Sequence, residues 1–430
     1  MICNFSNATV RAHLPLDNRS FFLFMRRFLG LPTQRGGYGD AASWITDTID
    51  YFREKRELEL CVIAPHPGLK KRVVSFEMDN IYYHFVACDF GNLLGKVIKN
   101  VEAWIKVNQV GKRIKKIVHG FKPDLVVLVG AENAFYAHSV LAINDYPIMV
   151  LCQTIYNNPE RAKHSVVDPK CAYVERRIFN KEKYFGVYSL MHYKLLHSLS
   201  PKAIIFKFGF PTKGELLNPI PTEKKYDFVN FALSLDFKKG AHDSVKALAL
   251  VKDRFPKVTL NLVGGCSAEN RKELNSLIHE LGLEDNVVFT PFFEKQEDLF
   301  LHIQRARFAV LPCKLDNTSG TMSQSMQLGL PIIVYKTAGT PSFNCEKPCA
   351  LIAEHNNVRC LATQMLKLMD SPELAETLKV NAREFQEKKT AKACQNGDRL
   401  FATFKAVIEH YREEKEIPRE LLFNPERDDC

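Results

Sequence analysis

The most informative segment of the chain reads Leu311-Pro-Cys-Lys-Leu-Asp-Asn-Thr-Ser-Gly-Thr-Met-Ser-Gln-Ser-Met-Gln-Leu-Gly-Leu-Pro331. The apolar run before Pro312 predicts a buried strand that ends there. The polar residues from Asp316 to Ser319 predict a loop, and a helix is expected to begin near Gly320. Gly329-Leu-Pro331 would end that helix and begin the next strand. The segment therefore predicts a strand–loop–helix–strand unit, the building block of a parallel sheet.

The same alternation of apolar runs and helical patterns continues outward in both directions. Strands are predicted at 20–25, 58–64, 82–88, 124–129, 147–153, 184–189, 203–208, 227–235, 258–263, 286–290, 308–311, 331–335 and 350–353. Helices are predicted at 40–56, 96–119, 131–144 and 191–199, between most of the later strands and from 371 to 415, with a charged, frayed end from Glu416. Strands separated by helices indicate parallel sheets with helices on both faces.

A turn-rich segment at 211–225 interrupts this alternation, and it contains three prolines and little periodicity. It predicts a linker between two tandem doubly wound, Rossmann-like α/β domains, residues 19–210 and 226–390. Residues 1–18 are then an N-terminal extension, and residues 391–430 a C-terminal helix and tail that packs back on the first domain. In such sheets ligands bind at the carboxyl ends of the strands, so we expect one deep site in a cleft between the domains.

Composition excludes several classes of protein. The 430 residues are 46% hydrophobic and 25% charged, which is typical of a globular chain and not of a disordered or collagen-like one. No run of 18 or more apolar residues occurs, so no membrane-spanning helix is expected. The apolar island Phe21–Met25 is too short for a signal-peptide core, and no small-residue cleavage site follows it. We therefore expect a cytoplasmic protein.

The twelve cysteines are scattered through the chain without a Cys-x-x-Cys pair. We interpret them as reduced thiols that mostly fill the core. The His, Cys, Asp and Glu residues form no set with the spacing of metal ligands, and no Asp-x-Asp occurs, so no metal is expected.

Positive charge is concentrated in one predicted helix. The formal net charge is +10, and between Lys96 and Lys122 eight lysines and arginines face one acid, Glu102. Such a segment is typical either of a solvated basic helix face or of a surface for an anionic acceptor or membrane. Trp104 is the only one of Phe, Trp and Tyr within the predicted helix 96–119, which argues against stacking on single-stranded nucleic acid.

Three segments carry residues that suit an anionic ligand. Gly36-Gly-Tyr-Gly-Asp40 precedes a helix and fits either a tight turn or a phosphate cradle. Lys238-Lys-Gly240 follows the first strand of the second domain; Lys239 there suits a diphosphate, although a solvated lysine pair is the alternative. Gly320, in the segment quoted first, would offer free helix amides to a phosphate.

The order of these motifs resembles a known family. The resemblance rests on Gly36-Gly37, Lys122-Pro-Asp-Leu-Val-Val127, Phe206-Lys-Phe-Gly-Phe-Pro211, Lys238-Lys-Gly240, Leu262-Val-Gly-Gly265, Leu328-Gly-Leu-Pro-Ile-Ile-Val334 and Ala338-Gly339. Together they resemble GT-B-fold glycosyltransferases of the retaining, family-4, glycogen-synthase-like group, also called glycosyl transferases group 1. The resemblance covers nearly all of residues 19–410 and is strongest over 226–370.

The resemblance implies roles for individual residues. The lysine that binds the nucleotide diphosphate corresponds to Lys239, beside Gly240, and the glycine loop near the β-phosphate corresponds to Gly36 and Gly37. The two acids of the Glu-x7-Glu motif correspond to Asp316, by the donor sugar, and Gln324, at the ribose. Thr318, Ser319, Gly320 and Thr321 complete the donor site, and Asp316 and Lys239 are the catalytic candidates.

Some positions depart from the family. An arginine usually lies five residues before the lysine, where this chain has Ser234, and Gln324 is a neutral amide where the family has a carboxylate. Ser319, Gly320 and Thr321 would compensate through amides and hydroxyls at the helix start. On the acceptor side, Glu132 and His66 are candidates because each follows a predicted strand of the first domain.

The resemblance implies a glycosyltransferase that moves a sugar from a nucleotide-sugar donor, without a metal or other cofactor, to a glycan or lipid-linked acceptor in cell-surface glycan or polysaccharide synthesis. The basic segment favours an anionic acceptor and a peripheral membrane contact. The alternative is a non-catalytic binding partner or subunit with the same fold and an eroded donor site. A basic nucleic-acid-binding protein is a further alternative, which predicts tight, salt-dependent binding to RNA or DNA.

Overall fold

The computed structural model describes residues 1–3, 5, 10, 13–14, 43–66, 69, 71–88, 99–159, 168–211, 216–293, 295–314, 319–337 and 339–428. The chain divides into two compact units. Unit 1 comprises Met1–Lys213 and Lys392–Asp429, and unit 2 comprises Gly214–Ala391. The predicted strand at 20–25 lies outside the described residues.

Unit 1 contains a sheet of mostly parallel strands. Its elements are α1 Ser43–Arg53, β1 Leu60–His66, β2 Val73–Met78, β3 Ile81–Ala87, α2 Lys99–Phe121, β4 Val126–Val129, α3 Ala134–Ala137, β5 Ile148–Leu151, α4 Pro169–Lys181, β6 Tyr184–Val187, α5 Leu190–Leu199 and β7 Ile204–Lys207. The strand orders are β1-β3-β2 and β4-β5-β6-β7, and β2 is antiparallel to β3. Strands β4, β5 and β6 are buried along their whole length, as their continuous apolar runs predict.

Residues 1–3 join these two groups of strands. Ile2 forms parallel bridges to Ile63 in β1 and to Leu128 in β4, with hydrogen bonds from Ile2 N to Val127 O and from Val129 N to Ile2 O. This differs from the sequence interpretation, in which residues 1–18 were an extension outside the fold. A three-residue strand carries too few side chains to show a period, so its partners alone reveal it.

The C-terminal end also differs from the prediction. The prediction of a charged, frayed end from Glu416 is wrong, because Ile417, Leu421 and Phe423 are buried. Phe423 N donates to Ile205 O and Lys207 N to Leu421 O, so this segment pairs with β7 at the edge of the sheet. Three apolar side chains among many charges are enough to hold it there.

Two further elements of unit 1 were not predicted. Strand β2 pairs with β3 through a hairpin whose two turn residues, Asp79 and Asn80, both have positive φ, as a type I′ turn requires. Helix α4 begins at the N-cap Asp168. The helix predicted at 131–144 is shorter than expected: α3 is followed by a 3₁₀ turn over His138–Ala142.

Unit 2 is a doubly wound domain, as predicted. Its elements are β8 Tyr226–Ser234, a 3₁₀ turn Phe237–Lys239, α6 Ala241–Lys252, β9 Leu260–Gly265, α7 Ala268–Glu280, β10 Val287–Thr290, α8 Gln296–Ile303, β11 Ala306–Leu311, α9 Gly320–Gln327, β12 Ile332–Tyr335, a 3₁₀ turn Thr340–Asn344, β13 Ala350–Ala353 and α10 Val358–Asp370. Helix α11, Pro372–Glu413, begins in this unit and continues into residues assigned to unit 1.

The six strands of unit 2 are all parallel and lie in the order β10-β9-β8-β11-β12-β13. Numbered from the first strand of the unit, this order is 3-2-1-4-5-6, that of a Rossmann fold. Two apolar clusters cover its two faces, one including Val245, Leu248 and Leu361 and the other including Met322 and Met326.

The ten cysteines whose side chains the structure describes are all free thiols. Within the described part of the chain, no helix is both long and apolar enough to cross a membrane.

Gly264, in β9, is required by the close approach of two strands. Its φ is 141°, and a Cβ atom there would lie 1.9 Å from the carbonyl oxygen of Ala232. We expect Gly264→Ala to lower the free energy of unfolding by about 3 kcal/mol or more. Two costs add together in this variant: the strain of a positive φ in alanine and the clash with the Ala232 carbonyl oxygen. Gly282→Ala is the matched control: φ is 61°, nothing lies within 4 Å, and the expected cost is about 1 kcal/mol. Thermal unfolding followed by circular dichroism measures both, and equal losses would contradict the steric argument.

Candidate functional site

The candidate site of unit 2 lies where the winding of its sheet reverses. Strands β8 and β11 are neighbours, but the chain proceeds from β8 toward one edge of the sheet and from β11 toward the other. The loops that follow two such strands diverge and leave a crevice at their carboxyl ends, where ligands of open α/β sheets bind. The two segments singled out in the sequence, Lys238-Lys-Gly240 and the one that begins at Pro312, follow these two strands.

The loop after β8 is held by its own side chains and by glycine. Asp236 accepts a hydrogen bond from Lys239 N at 3.0 Å, which fixes the 3₁₀ turn that carries both lysines. Gly240 has a φ of 77°, and a Cβ atom there would lie 2.3 Å from Pro312 O in the neighbouring loop. Lys239 is half-buried and Lys238 is exposed. Only glycine permits this approach of the two loops.

The loop after β11 leads into helix α9. Ser319 occupies the N-cap position without a capping hydrogen bond from its side chain, and its Oγ lies 2.7 Å from Thr321 Oγ1. Gly320, at the first helical position, is exposed, and a Cβ atom there would meet nothing within 4 Å. The first amides of a helix have no intrahelical acceptor, so this open helix start can receive an anion.

The structure brings six predicted donor residues to this carboxyl edge: Lys239, Gly240, Ser319, Gly320, Thr321 and Gln324. Gln324 lies one turn into α9 and is half-buried. Ser234 is the last residue of β8 and is exposed. The remaining predicted donor residues, Asp316, Thr318, Gly36 and Gly37, lie outside the described residues.

Beside these residues lies a buried ion pair that the sequence analysis missed. Lys314 Nζ is 2.9 Å from Asp243 Oδ2, and each side chain is only 5% exposed. The same oxygen accepts a hydrogen bond from the Tyr335 hydroxyl at 2.9 Å, and the ammonium lies 3.5 Å above the Phe237 ring. Burial, followed by the charge of Asp243, raises the pKa of Tyr335, so this hydroxyl stays a donor.

A histidine adjoins this pair. His242 is nearly buried, and burial lowers its pKa although Glu273 Oε2 lies 3.5 Å from its Nε2. The neutral ring is therefore favoured at neutral pH. Within the described ranges, no group of three or more His, Cys, Asp or Glu residues has the geometry to hold a metal ion.

In unit 1, both acceptor-side candidates lie at the carboxyl edge of the sheet. His66 is the last residue of β1; it is buried and packs edge-on against Phe85. Glu132 follows β4 after Gly130, whose φ is 86°. A Cβ atom on Gly130 would lie only 2.6 Å from Glu132 Oε1, so the glycine leaves room for this carboxylate.

Gln153, which the sequence analysis did not name, lies beside Glu132 and Trp44. With its amide oriented to match these neighbours, the nitrogen donates to Glu132 Oε1 at 3.2 Å and the oxygen accepts from Trp44 Nε1 at 3.1 Å. Trp44 belongs to α1 and is 42% exposed, unusually open for an indole. The three residues come from three separate segments, so no local sequence motif predicts that they lie together.

Part of the chain matches a known family. Residues 213–385, which include both loops of the unit 2 site, match the family described as glycosyl transferases group 1. A search of curated proteins by sequence found no match.

Solved structures resemble the chain over most of its length. Sucrose-phosphate synthase from Thermosynechococcus elongatus is 16% identical and has a TM-score of 0.68, over 85% of this chain and 93% of that one. Anabaena HepE in complex with UDP and glucose is 15% identical with a TM-score of 0.62, over 86% and 98%. An E. coli trehalose-6-phosphate protein bound with UDP-2-fluoro glucose is 9% identical with a TM-score of 0.63, over 86% and 96%. These likenesses establish the fold.

Proposed function

We propose that the chain is a glycosyltransferase, because residues 213–385 match the group 1 glycosyltransferases and solved structures resemble its fold over most of its length. The proposal extends to the substrates and residues that it uses. The donor is a nucleoside diphosphate sugar bound by unit 2 at the carboxyl ends of β8 and β11. The acceptor is a glycan or a lipid-linked glycan bound by unit 1, and the product belongs to cell-surface glycan or polysaccharide synthesis.

One observation carries the donor proposal: Lys239 and the open start of helix α9 follow neighbouring strands at the switch point of unit 2. A cation and a set of uncommitted amides are the groups that a diphosphate needs. In the reaction, the bond between the anomeric carbon and the diphosphate oxygen breaks. A hydroxyl oxygen of the acceptor bonds to that carbon, and the hydroxyl proton is released.

Charge explains the assignment of roles. Negative charge accumulates on the leaving diphosphate, where Lys239 and the amides of Gly320 and Thr321 stabilise it. The sugar becomes oxocarbenium-like, and Asp316 is proposed to lie beside it. Gln324 is proposed to hydrogen-bond the ribose, and Gly36 and Gly37 to approach the β-phosphate. Retention of the anomeric configuration and independence of a metal complete the proposal, as the family resemblance implies.

Lys239 gives the first test. We expect one nucleoside diphosphate among UDP, GDP, ADP, CDP and dTDP to raise the melting temperature, since a ligand at 100 times its Kd adds about 2.7 kcal/mol of stability. Lys239→Ala should abolish this shift because the point charge on the diphosphate is lost. UDP comes first, because two of the similar structures hold UDP or a UDP-sugar.

Lys238→Ala is the matched control for Lys239→Ala. Lys238 is the preceding lysine of the same turn and is exposed, so its loss should leave the nucleotide-induced shift nearly unchanged. If no nucleotide stabilises the wild-type protein, the proposal fails and the non-catalytic alternative, a binding partner with an eroded donor site, takes its place.

The acceptor proposal includes an anionic membrane surface. Lys112 and Lys116 on α2 and Arg72 at the hairpin are exposed. Arg113 Nη1 on α2 donates to Ala87 O in β3 at 3.2 Å, so the helix lies beside the hairpin that β3 forms with β2. Burial, and then the charge of Arg72, lowers the pKa of Arg113. A basic surface of this kind attracts anionic lipids, at about 1 kcal/mol per lysine or arginine. We propose that it contacts the membrane that carries a lipid-linked acceptor.

Replacing Lys112, Lys115 and Lys116 with alanine tests the membrane contact. The expected result is roughly 100-fold weaker binding to vesicles with anionic lipid, from about 1 kcal/mol for each lost charge. Alanine at Lys257, Lys272 and Lys367, three exposed lysines of unit 2, is the control. Vesicle flotation measures both, and equal binding of wild type to neutral and anionic vesicles would refute the contact.

A further inference from the structure

The buried ion pair between Lys314 and Asp243 connects the two loops of the unit 2 site. Helix α6 begins directly after Gly240, and Asp243 lies in its first turn. Lys314 lies two residues after Pro312, in the segment that follows β11. Lys314 N also donates to Lys238 O at 2.9 Å. The pair therefore joins the segment that carries Lys239 to the segment that leads into α9.

Stability alone does not explain a buried ion pair at this place. Two charges taken out of water lose hydration that their attraction only partly returns, and apolar residues of similar volume are often as stabilising. Here the cost is offset by good geometry: Asp243 also accepts from Tyr335, and Phe237 covers the ammonium of Lys314. Unlike apolar packing, an ion pair requires its two groups to meet in a particular geometry. It therefore defines the relative position of the two loops.

Neither side chain can itself be a major ligand contact, because each is 5% exposed and their charges neutralise each other. We propose that Lys314 and Asp243 are positioning residues: their pair holds Lys239 and the start of helix α9 at the separation that binds one diphosphate. Donor affinity then depends on the pair although neither residue touches the donor. This inference rests on the proposed function of the site.

The same two strands provide a matched control at their other end. Arg307, in β11, lies with Nη1 2.9 Å from Asp227 Oδ1, in β8. This pair also joins β8 to β11, but at their amino ends, away from both loops. Breaking it weakens the contact between these strands without touching the donor site.

The experiment compares Lys314→Met with Arg307→Met. For Lys314→Met we expect about 10- to 100-fold weaker UDP binding by calorimetry, which is about the loss when one charge-assisted contact to the diphosphate is misaligned. If another nucleoside diphosphate gives the larger melting shift, that nucleotide is the probe. With the donor sugar, KM should rise more than kcat falls, because the loss is in donor binding. Arg307→Met should stay within about twofold of wild type in both.

Two further variants separate positioning from folding. Lys314→Arg keeps the charge and should recover most of the affinity. Tyr335→Phe keeps both charges and removes one hydrogen bond to Asp243, so it remains informative if Lys314→Met does not fold; we expect about a 2- to 5-fold loss of UDP affinity. Circular dichroism of each variant establishes that it is folded at the assay temperature.

The outcomes are distinguishable. If Lys314→Met and Tyr335→Phe are folded and bind the nucleotide as wild type does, while Lys239→Ala does not bind it, the inference is refuted and the proposed function stands. If Arg307→Met loses as much affinity as Lys314→Met, the effect is general destabilisation, which also refutes the inference. If wild type binds no nucleoside diphosphate, both fail.

Discussion

The contact between Gly240 and the carbonyl of Pro312 is the constraint on which the unit 2 site depends. A Cβ atom at Gly240 would lie only 2.3 Å from that oxygen. The loops can therefore meet only where one residue lacks a side chain. Two polar contacts then fix the relative position of the loops, which close packing alone would not determine. They are the ion pair between Lys314 and Asp243 and the hydrogen bond from Lys314 N to Lys238 O.

Most of unit 2 could be predicted from the sequence because its strands are buried on both faces and bounded by turn residues. The strand at 350–353 has the predicted bounds, and 331–335 differs by one residue. A continuous apolar run bounded by turn residues predicts a buried strand without reference to any other part of the chain. Residues 1–3 and the segment ending at Phe423 are held by partners far away in the chain. A local pattern cannot contain that information, so unit 1 was described less well.

The residues of the candidate sites divide in the same way, into those that a local sequence pattern reveals and those that only distant partners reveal. Lys239, Gly240 and Gly320 could be located because glycines and lysines after buried strands are local signals. Lys314 and Asp243 could not, because a charged residue looks the same in sequence whether water or a partner satisfies it, and charged side chains are seldom buried. Trp44, Gln153 and Glu132 illustrate the point in unit 1, where three segments contribute one residue each.

The charges at the unit 2 edge also bear on the positions where this chain departs from the pattern of the family that residues 213–385 match. Ser234 and Gln324 are neutral, and Asp243 neutralises Lys314, so neither the end of β8 nor the buried pair adds net charge. A diphosphate at this edge would then be stabilised by Lys239 together with the amides of α9, whose dipole also favours an anion. With fewer charges to share the task, the alignment of Lys239 with the helix start matters more. That dependence gives a physical reason for a costly buried ion pair beside the proposed donor site, which has few charges of its own.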